Sequence, residues 1–175
     1  MIGFRKDLQG LRAVAILLVL LAHAGVEALA GGFVGVDVFF VLSGFLITGL
    51  LVEEYREHGR IQLLSFYARR LRRLLPALLL VLLATVASAA WLLSAAEFEA
   101  QLGSTPFAAT WLSNFYFAFT EFDYFDELGT RDLFLHFWSL AVEEQFYLLW
   151  PLLLLGLLQL LAAADKPRRA VLALA

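Results

Sequence analysis

Residues 74–96, LLPALLLVLLATVASAAWLLSAA, carry no charged side chain. A helix needs about 20 apolar residues to cross the hydrocarbon core of a bilayer. In lipid, every backbone polar group must also be satisfied within the segment itself. A membrane-spanning helix meets both requirements. Three further blocks behave alike. Residues 13–26 are uncharged, and Arg12 and Glu27 stand at their ends, where long side chains snorkel to the interface. Residues 33–52 are interrupted only by Asp37, and residues 133–164 only by Glu143 and Glu144. The composition agrees: 62% of the 175 residues are hydrophobic and the mean hydropathy is +0.81, well above soluble norms. The expected fold is all-α, a polytopic membrane bundle with four transmembrane helices at roughly 9–30, 33–52, 74–96 and 134–163.

Arg5, Lys6 and the small-residue stretch EALAGG imitate a signal peptide cleaved after Ala30. The apolar run is longer than a typical signal core and ends in His and Glu, which favours a retained span.

Positive charge sets orientation. Arg5, Lys6 and Arg12 precede the first helix, and Arg56, Arg60, Arg69, Arg70, Arg72 and Arg73 lie between the second and third. Lys166, Arg168 and Arg169 follow the fourth. Four spans with a cytoplasmic N-terminus put every Lys and Arg except Arg131 on the cytoplasmic side. Arg131 falls in an outer segment rich in Glu97, Glu99, Glu121, Asp123, Asp126, Glu127 and Asp132. The aromatic stretch FAATWLSNFYFAFT, residues 107–120, is too short to span comfortably. It reads as one outer interfacial or re-entrant helix, at the depth where aromatic belts sit. The last residues, DKPRRAVLALA, read as a short inner loop and the start of another apolar segment.

With no cysteine in the chain, disulfides, thiolate metal sites and a cysteine acyl-enzyme are excluded. A formal net charge of -3 gives no basic surface for nucleic acid. No metal site is expected.

The polar residues inside the apolar blocks carry the functional signal. Eleven residues separate Arg12 from His23, about three turns plus 20°, so both lie on one face, about 16 Å apart. His23 is placed in the outer half of its helix, about 10 Å from the outer end, Asp37 about 6 Å into the second helix and Glu143 about 14 Å into the fourth. His136, Ser139, Glu143 and Tyr147 recur at spacings of three or four and form a polar stripe. Ionisable groups in a bilayer cost several kcal/mol each unless paired or hydrated. Three such groups on three helices are most economically read as one interior site. The bland alternatives are a packing histidine, a boundary aspartate, arginines that only orient the chain, and glycines (Gly32, Gly35, Gly44, Gly49) that only permit close helix packing.

Four motifs resemble those of the acyltransferase family 3 membrane proteins. RAVAILLVLLAH resembles the family's Arg-x10-His signature, and GGFVGVDVFFVLSGFLITGLL resembles the segment that follows it. FYARRLRRLLPA is similar to its cytoplasmic Arg-x-x-Arg motif, and LHFWSLAVEEQFYLLWPLLL to its Trp-Ser-Leu-x-x-Glu motif. The matches occur in family order and cover most of residues 4–155. The resemblance implies a membrane O-acyltransferase in the cell (inner or plasma) membrane. It would move an acyl group, commonly acetyl, from cytoplasmic acyl-CoA to a hydroxyl of an envelope or extracellular glycan, or of a lipid-linked or small-molecule acceptor. Acyl-CoA would be a donor substrate rather than a bound cofactor.

The resemblance further implies His23 as the catalytic residue, Arg12 as its motif partner, and Arg69, Arg72 and Arg73 as functionally required. Glu143 aligns with the family's acidic position, and Glu144 less closely. Members carry more helices than this sequence, so residues 1–175 read as the N-terminal part of the domain, needing a C-terminal half or a partner chain.

Acyl transfer to an alcohol needs a base, and histidine is suited to that task. Asp37 or Glu143 could orient it and stabilise the imidazolium. Arginines bind the donor's phosphates through a planar fork. Two other classes compete: a proton-coupled transporter or flippase half, with His23, Asp37 and Glu143 as a relay, and a non-catalytic membrane fragment.

Overall fold

A computed structural model of the chain describes residues 5–120 and 132–172, with side chains through residue 163. The order is α1 (Lys6–His23), a 3-10 segment (Glu27–Phe33), α2 (Val34–His58), α3 (Leu63–Leu92), α4 (Ala95–Leu102), α5 (Thr105–Ala109), α6 (Ser113–Phe119) and α7 (Phe137–Leu172). The described residues form no strand, and the all-α reading holds. Glu27–His58, Leu63–Leu92 and Phe137–Ala163 are long and apolar enough to cross a membrane. Their leucines point outward: Leu80 and Leu83 are each 69% exposed, a surface suited to lipid rather than water. A fourth crossing rests on α1, which has 18 residues, about 27 Å, and carries Lys6, Asp7 and Arg12 in its first half.

The element boundaries differ from the sequence expectation in physically specific ways. α1 ends at His23, not near residue 30. Gly25 adopts φ +76 and the Val26 amide donates to the Leu21 carbonyl, the left-handed closure that glycine permits at a helix end. His23 therefore occupies the helix terminus instead of lying about 10 Å below it. α2 continues to His58 and stops at Gly59, φ +66, whose amide donates to the Tyr55 carbonyl. α3 starts at Leu63 instead of near residue 74, so its arginines stand in its first three turns and not between two spans. α7 continues through 165–172, where an inner loop was expected. The single outer helix at 107–120 is two, α5 and α6, separated at Trp111, which takes φ 54. The acidic residues 121–127 and Arg131 lie outside the described residues.

The chain forms two compact units, Met1–Gln62 with Leu149–Ala175, and Leu63–Leu148. In the first, α1 and α2 run antiparallel in close contact. A Cβ on Gly32 would overlap the Leu18 carbonyl, and one on Gly35 the Ala15 carbonyl. Small residues thus let two backbones approach, as membrane helix pairs require. Across α2 and α7 the Trp150 indole donates to the Thr48 hydroxyl (2.8 Å), which donates to the Gly44 carbonyl (2.7 Å). Gly35→Ala is expected to destabilise the protein by about 1–3 kcal/mol through overpacking. Gly156→Ala, which meets nothing within 4 Å, is expected to be neutral or slightly stabilising. Thermal unfolding in detergent compares the two; equal midpoints would show that the close approach carries no stability.

In the second unit, Leu78 and Leu82 of α3 pack with Ala108 of α5 and with Phe134. Pro76 lies inside α3; it has no N–H to offer the Arg72 carbonyl. Beyond α3, Ser94 caps α4. Its hydroxyl accepts from the Glu97 amide, and its own amide donates to the Glu97 carboxylate, the reciprocal box that satisfies two orphan donors. The hydrogen bond from the Ser94 hydroxyl, with that from its amide, holds the Glu97 carboxyl below its ordinary range.

Candidate active site

In the first unit, Arg12 and His23 share one face of α1, as their spacing requires. The His23 Nδ1 lies 2.7 Å from the Val19 carbonyl oxygen one turn back. A carbonyl can only accept, so Nδ1 carries the proton of the neutral ring and Nε2 carries the lone pair. The backbone of α1 thereby fixes the tautomer. The ring meets Phe33 edge-on, centroids 5.1 Å apart at 72°. The Arg12 guanidinium lies 5.6 Å from the centroid of the Phe39 ring on α2, a cation–π contact that holds it near the start of its helix. Asp37 is in the first turn of α2, exposed. It stands four residues after Phe33, on the same helical face one turn along. Its carboxylate makes no hydrogen bond or ion pair among the described residues.

The second unit holds the other candidates. Arg69, Arg72 and Arg73 are exposed near the start of α3; Arg72 Nε donates to the Ala68 carbonyl at 3.2 Å. Arg70 turns inward. Its Nη2 donates to Glu144 Oε1 of α7 at 3.0 Å, with side-chain exposures of 23% and 10%. Its guanidinium carbon lies 3.2 Å from the centroid of the Tyr147 ring. The Tyr147 hydroxyl donates to Glu143 Oε1 at 2.6 Å, which joins two members of the expected polar stripe; His136 precedes the helix, which starts at Phe137. Glu143 stands about 9 Å from the start of α7. Nearby, Gln145 and Asn114 exchange amide hydrogen bonds of 3.0 and 2.9 Å. Gln145 also donates to the Trp111 carbonyl at 2.8 Å. That bond supports the left-handed backbone at Trp111, where a bulky residue is strained.

Arg12, His23 and Asp37 thus belong to one unit, and Arg69, Arg72, Arg73 and Glu143 to the other. Arg70 was missed as an individual, because four arginines in five positions read as one charged patch. Its signal was angular: at about 100° per residue, Arg70 points about 160° away from Arg72. No group of three or more His, Asp and Glu able to hold a metal occurs among the described residues.

The acyltransferase domain family matches residues 5–175. A protein of Staphylococcus aureus strain MSSA476, named as a candidate O-acetyltransferase, is 44% identical over 155 residues, 89% of this chain and 25% of its own length. The O-acetyltransferase OatA of S. aureus strain NCTC 8325 is 41% identical over 169 residues, 96% of this chain and 27% of its own length. The chain therefore spans about a quarter of the length of these relatives. No solved structure matches it. With three apolar helices of membrane-crossing length and the four motifs inside the matched region, the chain is a multi-pass membrane protein and belongs to the family-3 acyltransferase domains.

Proposed function

We propose that this protein is an O-acyltransferase that moves an acetyl group from cytoplasmic acetyl-CoA to a hydroxyl of an envelope glycan or a lipid-linked acceptor. The observation that carries the reading is the His23 ring, whose Nδ1–H is committed to the Val19 carbonyl and whose basic atom is therefore Nε2. In the reaction, Nε2 takes the proton of the acceptor hydroxyl as its oxygen attacks the thioester carbonyl. The C–O bond forms, the C–S bond breaks, and the leaving thiolate recovers the proton from the imidazolium. Asp37 or Glu143 stabilises that imidazolium through its negative charge, since the Nδ1–H that a triad carboxylate accepts is taken by Val19.

Arg12, Arg69, Arg72 and Arg73 bind the donor's phosphates. The exposure of the last three near the start of α3 supports this role. Lys lacks the bidentate fork, so Lys at 69, 72 or 73 is expected to raise KM for acetyl-CoA about tenfold while changing kcat less. Normal KM in all three variants would reduce these arginines to orientation signals.

The N-terminus and the 53–62 segment face the cytoplasm of the cell membrane, because the flanking basic residues then lie inside. An Arg60→Cys variant should resist impermeant thiol reagents applied from outside. Ready labelling there would overturn the topology. Steady-state assay of reconstituted protein with labelled acetyl-CoA tests the function: label should move to a glycan or lipid-linked hydroxyl as CoA is released.

A further inference from the structure

We propose that Arg70 is a positioning residue that acts on Glu143 through Tyr147, with Glu144 as the counter-ion that holds it in place. Its consequence for rate rests on the acyl-transfer reading above with Glu143 as the supporting carboxylate; the contacts themselves do not.

Two adjacent glutamates inside a membrane helix are costly unless compensated. Neighbouring side chains diverge by about 100°, so one cation cannot bond both directly. Arg70 serves both by different routes. Its Nη2 takes Glu144 at 3.0 Å. Its flat face lies on the Tyr147 ring at 3.2 Å, and the Tyr147 hydroxyl reaches Glu143 at 2.6 Å. A cation against the ring draws electron density from the phenol and makes its O–H a stronger donor to the carboxylate. Tyr147 is 6% exposed, so packing fixes the direction of its hydroxyl.

The orientation of the guanidinium is itself informative. Arg70 Nε is buried and has no hydrogen-bond partner among the described residues, an unsatisfied donor that costs stability. The guanidinium is thus held between the Tyr147 ring and the Glu144 carboxylate while its Nε goes unbonded. Among Arg70, Glu143 and Glu144 the formal charge is -1. Glu144 is paired with Arg70, and the Glu143 carboxylate, held by the Tyr147 hydroxyl, is the one placed to stabilise a developing cation.

Lys at position 70 keeps the charge opposite Glu144 but has no planar face to stack. In reconstituted protein, Arg70→Lys and Tyr147→Phe are each expected to lower kcat about ten- to a hundredfold through misplacement of the carboxylate. KM for acetyl-CoA should stay within about twofold, unlike loss of a phosphate contact. The second measurement does not depend on activity. Arg70→Lys and Glu143→Gln should shift the thermal midpoint non-additively, and the coupling should vanish in a Tyr147→Phe background. Unchanged kcat in a folded Arg70→Lys variant would overturn the proposal, as would additive midpoints in the presence of Tyr147. Absence of any acetyl transfer in the parent protein would sink the acyl-transfer reading and leave the midpoint cycle to decide the role of Arg70.

Discussion

His23→Gln is expected to lower acetyl transfer by about 10²–10⁴-fold, the usual cost of losing a general base, with membrane insertion and thermal stability almost unchanged. Gln keeps polarity and approximate size but cannot take a proton at neutral pH. His23→Asn should behave the same way. The structure sharpens the contrast with a packing role. His23 is the last residue of α1 and is exposed, and its Nδ1 is held by a backbone carbonyl within its own helix. A packing histidine at such a place contributes about as much as an average polar contact between membrane helices, about 0.6 kcal/mol. Near-normal transfer in either variant would remove His23 from the chemistry.

The second large effect separates the two carboxylates. Changing the supporting acid to its amide is expected to cost up to about 10⁴-fold in kcat, as in triads where the amide stabilises the wrong tautomer. Here the tautomer is already set by Val19, so the loss comes from the missing negative charge and should be nearer 10²-fold. Asp37→Asn and Glu143→Gln are to be compared by kcat in folded protein. The supporting residue shows this loss, and the other falls by less than about tenfold. If both variants transfer at the parent rate, the imidazolium is stabilised by neither and the triad analogy fails.

Much of the fold was legible because lipid imposes harsh rules. The uncharged run at 74–96, the single Asp37 in 33–52 and the paired glutamates in 133–164 each forced a helix on hydropathy alone. The ends were less legible, because polar residues tolerate helix as well as loop. Arg69–Arg73 read as lying between two spans, yet nothing in SFYARRLRR breaks a helix, so α3 absorbs it. At the other end of α1, one glycine outweighed hydropathy: Gly25 in the left-handed region turned an apolar run into a terminus. Trp111 did the same within 107–120 with no sequence signal, since its left-handed backbone is supported by Gln145 from α7.

The candidate site was legible where residue spacing is local. Arg12 and His23 share a face, and Tyr147 reaches Glu143 one turn back. The Arg70–Glu144 pair joins residues 74 positions apart, a distance over which periodicity carries no information.

The central claim is His23-dependent movement of an acetyl group from donor to hydroxyl. Its most direct measurement follows carboxyl-labelled acetyl-CoA in vesicles containing the protein, with a glycan or lipid-linked alcohol present and proton flux recorded alongside. The expected result is label in an ester of the acceptor and free CoA in equal amounts, both lost in His23→Gln. Proton movement that depends on His23 without any label transfer would contradict the claim and identify a transporter instead.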